Sequence, residues 1–194
     1  MILDQTALAS VPSRHTTAFQ SLKTFHLHRT SSGSLLASVK VLPHTHSCFV
    51  CGESNRVGLN LRFQTDGCKV TTEFTPSPEH IGFKKVVHGG ILSTLLDEIM
   101  VWACVIGTRR FAFCAELNVR FVRPSRPHET LLASAELVAN RRNRIFETKG
   151  ELRNVTGELV AIATGKYCPV KDADLLEMAR DFVDDPGWLT REPV

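Results

Sequence analysis

The chain carries little net charge: 23 Lys and Arg stand against 20 Asp and Glu, a surplus of +3 over 194 residues. A protein that embraces a nucleic-acid backbone needs more, so nucleic acid is not the expected partner, although local basic clusters can still hold a small anion. A clean apolar run is also missing. The longest, Ile91 to Ile106, is broken by Ser93, Thr94, Asp97 and Glu98, short of the ~20 residues that span a bilayer. The opening MILDQTALAS places an aspartate where an export signal has positive charge followed by an apolar stretch. Cysteine is too sparse for a disulfide framework, because Cys48, Cys51, Cys68, Cys104, Cys114 and Cys168 are scattered. Reduced thiols and a cytoplasmic location are therefore expected. There is no internal repeat and no low-complexity tract. What is present is 43% apolar residues, too many for a disordered chain and enough for the core of one domain.

Residues 1–34 are rich in Ser and Thr with weak periodicity, and Ser31-Ser32-Gly33-Ser34 reads as a turn or linker. A strand is expected over 35–42. Alternation of Leu59, Leu61 and Phe63, then of Val70, Thr72 and Phe74, across Asp66-Gly67 predicts a hairpin. From Gly89 to Gly107 the period changes. Leu92, Leu95, Leu96, Ile99, Met100 and Ala103 recur at three- and four-residue spacing, which predicts a long buried helix opened by Gly89-Gly90 and closed by Gly107. Phe113, Ala115, Leu117, Val119 and Phe121 alternate strictly in a strand that Pro124 ends. Strands follow at 131–140, 144–153 and 158–167, then a terminal helix at 171–183. A hairpin, one long helix and a run of antiparallel strands is an α+β order, simplest as one sheet around one buried helix.

The chemistry concentrates in Val87-His88-Gly89-Gly90, with Asp97 two turns further on. A double glycine lets another molecule approach the backbone. The first helical N–H groups lack intrahelical partners and sit at the positive end of the dipole, so they suit a developing oxyanion. Asp97 interrupts an apolar helix, where an ionised carboxylate is costly unless something uses it. An exposed helix edge is the plainer reading, and two adjacent acids, Asp97 and Glu98, are not expected to face the core together.

His88-Gly89-Gly90 with Asp97 nine residues after the histidine, the strand Ala115 to Pro124, and the segment Cys48-Phe49-Val50-Cys51-Gly52 with Asn55, Gly58-Leu59 and Phe63 resemble the hotdog-fold acyl-CoA thioesterases. Within that superfamily the resemblance is to the PaaI-like (phenylacetate-pathway type) branch. It covers about residues 46–170 and leaves 1–45 and 171–194 as extensions. It implies a single hotdog domain, a curved antiparallel sheet around one central helix, in a homodimer or homotetramer whose protomers share the site. It implies hydrolysis of an acyl-CoA to a carboxylic acid and free CoA, with no metal and no other cofactor. Asp97 would be general base or nucleophile, the Gly89 N–H the oxyanion donor, and His88 would shape that corner. Cys114 stands where related enzymes use Ser or Thr, and Ile81-Gly82-Phe83 stands where some carry an Asn or Gln.

Gly90 and the basic residues Lys84, Lys85, Arg123, Arg126, Arg141 and Arg142, with Arg144 beside them, are the candidates for binding CoA, since Arg forks suit phosphate oxygens. Trp102, Phe83 and Phe113 are candidates for an acyl pocket or plain core. Three other readings compete. His44, His46, Cys48 and Cys51 are four possible zinc ligands in eight residues, too close together for an easy tetrahedral site. A non-catalytic acyl-CoA sensor of the same fold is the alternative function, which the carboxylate Asp97 disfavours. A hotdog hydratase ranks last because its local Asp and His motif is absent.

Overall fold

The computed structural model describes residues 39–183, so most of the 1–45 extension and the last eleven positions lie outside the described residues. The helix forms where the periodicity places it. α1 (Gly89–Thr108) buries Leu92, Leu95, Leu96, Ile99, Met100, Trp102 and Ala103. His88 caps it, Nδ1 accepting the Gly90 N–H at 2.9 Å. It runs past Gly107 and ends at Arg109, whose φ of 60° is left-handed and whose N–H bonds to the Val105 carbonyl at 2.8 Å. α1 is long and apolar enough to cross a membrane by length and composition. In this fold its apolar stripe is the core.

That stripe lies on a seven-stranded antiparallel sheet, ordered β1-β2-β3-β7-β8-β9-β6. The strands are β1 (Lys40–Val41), β2 (Gln64–Thr65), β3 (Lys69–Phe74), β6 (Ala112–Phe121), β7 (Leu131–Arg141), β8 (Ile145–Asn154) and β9 (Leu159–Pro169). A separate pair, β4 (Ile81–Phe83) and β5 (Val86–Val87), leads into the helix. Alternation gives one face to α1: Val70 and Phe74 from β3, Ala133 and Ala135 from β7, Phe146 and Leu152 from β8, and Ala161, Ala163 and Tyr167 from β9 are all buried. The expected hairpin is shorter than its pattern. Residues 59–63 are irregular and only Gln64–Thr65 pairs with β3, yet Leu61 and Phe63 are buried; the alternation recorded burial, not a ladder. The last helix, α2 (Asp172–Ala179), is likewise shorter than 171–183.

β6 ends the sheet, and its outer edge has no strand partner among the described residues. Its apolar alternation is not buried as expected. Leu117 and Val119 are half-buried, but Phe113 and Phe121 are 55% and 49% exposed. A β-bulge between Cys114 and Glu116 breaks the register with β9.

Candidate active site

A cavity of about 330 Å³ opens beside the middle of α1. Its walls come from the helix, the start of β6, the loop over residues 45–51 and the segment after β9. Asp97 and Glu98 both line it, against the expectation that adjacent acids could not share an inward face. The cavity makes this possible: consecutive helical residues point about 100° apart, and each carboxyl finds its own polar wall.

Asp97 is held by the sheet. Tyr167 Oη donates to Asp97 Oδ1 at 2.9 Å and lies 3.4 Å from the Asp97 carbonyl. Tyr167 is fully buried in β9, opposite Cys114 in the β6 register. Burial, then the Asp97 charge, pushes the Tyr167 phenol well above its ordinary range, so it keeps its proton and donates. Gly165 leaves room for the ring, since a Cβ there would collide with it. Cys114 also reaches this point. Burial, then a hydrogen bond to Asp97, pushes its thiol up to about 11, so Cys114 is a neutral, weak donor at the carboxylate. Tyr167 escaped the sequence reading; its one signal was that it is the chain's single tyrosine.

Glu98 faces the other wall, with Cys48 Sγ 3.9 Å from its Oε1. Burial, then the neighbouring Cys48, pushes this carboxyl up to about 8, which leaves it mostly protonated at neutral pH. The roof is aromatic. Phe182 packs on Phe111 at 5.6 Å and on Trp102 at 6.4 Å. The Val183 N–H bonds to the His44 carbonyl and the His46 N–H to the Asp181 carbonyl. Residues 171–183 thus cover the cavity. Trp102 and Phe113 line it, whereas Phe83 is 73% exposed on β4.

The helix start lies elsewhere. Gly89 touches Phe121 at the far end of β6, and eight helical residues separate it from Asp97, a rise of about 12 Å. His88 is exposed, and because its Nδ1 accepts the Gly90 N–H, the proton of the neutral ring sits on Nε2. The Gly90 N–H is thereby occupied, and Gly89 carries the first N–H of the helix. One chain does not bring Gly89 and Asp97 onto one carbonyl.

The basic residues divide between the same two ends. Lys84 and Lys85, both at positive φ in the β4–β5 turn, and Arg123 and Arg126 after β6 lie toward the helix start. Arg141, Arg142 and Arg144 form the β7–β8 turn at the Cys114 end. Arg123 pairs with Glu158 at 2.6 Å and Arg141 with Glu147 at 3.0 Å; the Arg126 backbone N–H bonds to Glu129.

A long helix laid in an antiparallel sheet, with an acid at its middle facing a cavity, defines a hotdog domain. Residues 84–161 match the family model of the thioesterase superfamily. Human acyl-coenzyme A thioesterase 13 is 26% identical over 95 residues, 48% of this chain and 67% of that protein. A thioesterase superfamily protein of known crystal structure aligns with a TM-score of 0.59 at 25% identity, over 64% of this chain and 60% of that one. The chain therefore spans about three fifths of that structure. The E. coli PaaI protein from the phenylacetic acid degradation operon shares the fold, with a TM-score of 0.53 and 22% identity over 58% of this chain and 81% of its own.

Proposed function

We propose that the protein is an acyl-CoA thioesterase that works as a homodimer in the cytoplasm. The observation that carries this reading is Asp97, a carboxylate in the middle of a core helix, bonded by Tyr167 and open to an apolar-roofed cavity. The free edge of β6 is the seam. Two copies pairing antiparallel along it bring the Cys114 end of one strand to the Phe121 end of the other. Asp97 then meets Gly89 of a second copy, closing the gap of about 12 Å that one chain leaves. The same operation gathers Arg141 and Arg142 of one copy with Lys84, Lys85, Arg123 and Arg126 of the other into a rim for the CoA phosphates. The exposed Phe113 and Phe121 are covered.

In the reaction the Gly89 N–H, with the helix dipole behind it, polarises the thioester carbonyl and takes the developing oxyanion. Asp97 removes a proton from water as it attacks, the C–S bond breaks and that proton passes to the sulfur; or Asp97 attacks the carbonyl itself, the C–S bond breaks to leave an acyl–aspartyl anhydride, and water then cleaves the anhydride and supplies the proton to the thiolate. Either way carboxylic acid and free CoA leave. The acyl chain sits under Trp102, Phe111 and Phe182. The step uses only the chain's own groups. A panel of aliphatic and aromatic acyl-CoAs, followed by free-thiol release, tests this reading: turnover with at least one class is expected. Binding of every member without thiol release would instead favour an acyl-CoA sensor, a reading supported by the weak donor Cys114 beside Asp97.

A further inference from the structure

Three acids that hydrolysis does not use converge on the wall opposite Tyr167. Cys48 Sγ, Cys51 Sγ and a Glu98 carboxylate oxygen lie within 4.8 Å of one another, and both thiols are free. The loop that carries the cysteines holds their sulfurs. The Val50 N–H donates to Cys48 Sγ at 3.2 Å, and the Cys51 N–H bonds to the same sulfur. The Cys48 N–H bonds to Thr45 Oγ1, which lies 3.6 Å from Cys51 Sγ. The turn closes with the Gly52 N–H on the Cys48 carbonyl at 2.9 Å. Only glycine fits there, because a Cβ would strike the backbone of Cys48 and His46. Backbone amides aimed at a sulfur favour its thiolate.

Glu98 comes from a separate element, the helix, and the groups that shift its carboxyl are Cys48, Cys51, Asp97 and Trp102, none of them a cation. Cys51 is raised first by Cys48 and then by burial, and Glu98 first by burial and then by Cys48. A divalent cation between them offsets that gathered negative charge. The geometry suits one: tetrahedral bonds of about 2.3 Å to sulfur and 2.0–2.2 Å to oxygen place ligand atoms roughly 3.5–3.8 Å apart, and the Cys48–Glu98 contact is 3.9 Å. The neighbouring histidines are not part of it, since His44 and His46 both bond to Glu53, at 3.2 and 3.1 Å.

We propose that Cys48, Cys51 and Glu98 bind a thiophilic divalent cation of the zinc type, with a fourth position open to the cavity. The ion clips the 45–52 loop onto α1 and completes one cavity wall. Asp97 is not a ligand, so the proposal stands or falls apart from the hydrolase reading.

The test uses the full chain, reduced and stripped of metal, titrated with Co²⁺ and then Zn²⁺. One equivalent of cobalt should give a thiolate-to-cobalt charge-transfer band that stoichiometric zinc bleaches. Zinc at a hundred times its Kd should raise Tm by roughly 5 °C or more. The band should vanish in Cys48→Ser and Cys51→Ser, survive in the exposed-cysteine variant Cys68→Ser, and need at least tenfold more metal in Glu98→Gln. Should the ligand-cysteine variants fail to fold, zinc should still shield Cys48 and Cys51 of the wild type from alkylation, read by mass spectrometry. A folded, reduced wild type with no band and no shielding overturns the site, as does a band that survives loss of both cysteines. Cobalt refusal by a reduced protein that forms a Cys48–Cys51 disulfide in air overturns it too, and makes the pair a redox couple.

Discussion

Asp97 and Glu98 are neighbours on one helix and line one cavity, yet their surroundings divide them. Asp97 meets a hydroxyl that cannot give up its proton, supplied by Tyr167. Burial, then the neighbouring Cys48, pushes Glu98 up to about 8. One carboxyl thus faces a fixed hydroxyl donor, and the other a dry wall beside a second acid. Identity in sequence says nothing of this; the strand and the loop that each side chain faces decide it. The largest effect should follow from exchanging the two. Asp97→Asn should keep the fold and lower kcat by a factor on the order of 10²–10⁴, whereas Glu98→Gln should lower it less than about tenfold. Circular dichroism with thiol-release kinetics checks both, and equal losses would erase the distinction.

The comparison sharpens if Asp97 draws on a second copy. Phe121→Glu places a charge on the exposed β6 edge beside Gly89, and should yield monomers by sedimentation. Turnover should fall roughly 10²–10³-fold, the loss of an oxyanion donor, although Asp97 is untouched. A fully active monomer would refute the shared site.

A third measurement reads Glu98 alone. Its carboxyl is near 8 when folded and near the ordinary 4.5 when unfolded, so between those values the folded state holds the extra proton. The stability it contributes is complete below about pH 4.5 and is lost as pH rises through 8. Metal-free wild type should lose up to about 1.4 kcal/mol per pH unit across that window relative to Glu98→Gln. Denaturant melts at several pH values give the slope, and parallel curves for the two proteins would contradict it.

Much of this architecture is legible in the sequence, and the failures have physical causes. α1 was readable because its stripe from Leu92 to Ala103 is buried at every turn, and β7, β8 and β9 because each alternates against that stripe. The 59–63 segment misled, since burial of Leu61 and Phe63 imitates a strand without a partner. β6 misled in the opposite way, because Phe113 and Phe121 alternate like a core face yet stand 55% and 49% exposed. His88, Gly89 and Asp97 are close in a linear motif and about 12 Å apart along the helix. Tyr167, 70 positions from Asp97, is joined to it only by the sheet. Glu98 joins Cys48 and Cys51 by the same logic, a link that four ligands counted within eight residues could not reveal.

Smaller effects test the Asp97 side. Tyr167→Phe removes one hydrogen bond to a carboxylate, worth about 1.5–3 kcal/mol, and should lower kcat by roughly tenfold or somewhat more.

Cys114→Ser should change least. The thiol is neutral and bonds weakly to Asp97, and a hydroxyl makes the same bond better from the same place in β6. Activity should therefore be preserved or rise a few-fold. The substitution is nearly isosteric and Cys114 is exposed in a single chain, so stability should move by less than about 0.5 kcal/mol. Thiol-release rates on the best substrate of the panel decide the point. A collapse of turnover in a stable Cys114→Ser protein would mean that sulfur chemistry, not donation to Asp97, is what this position supplies.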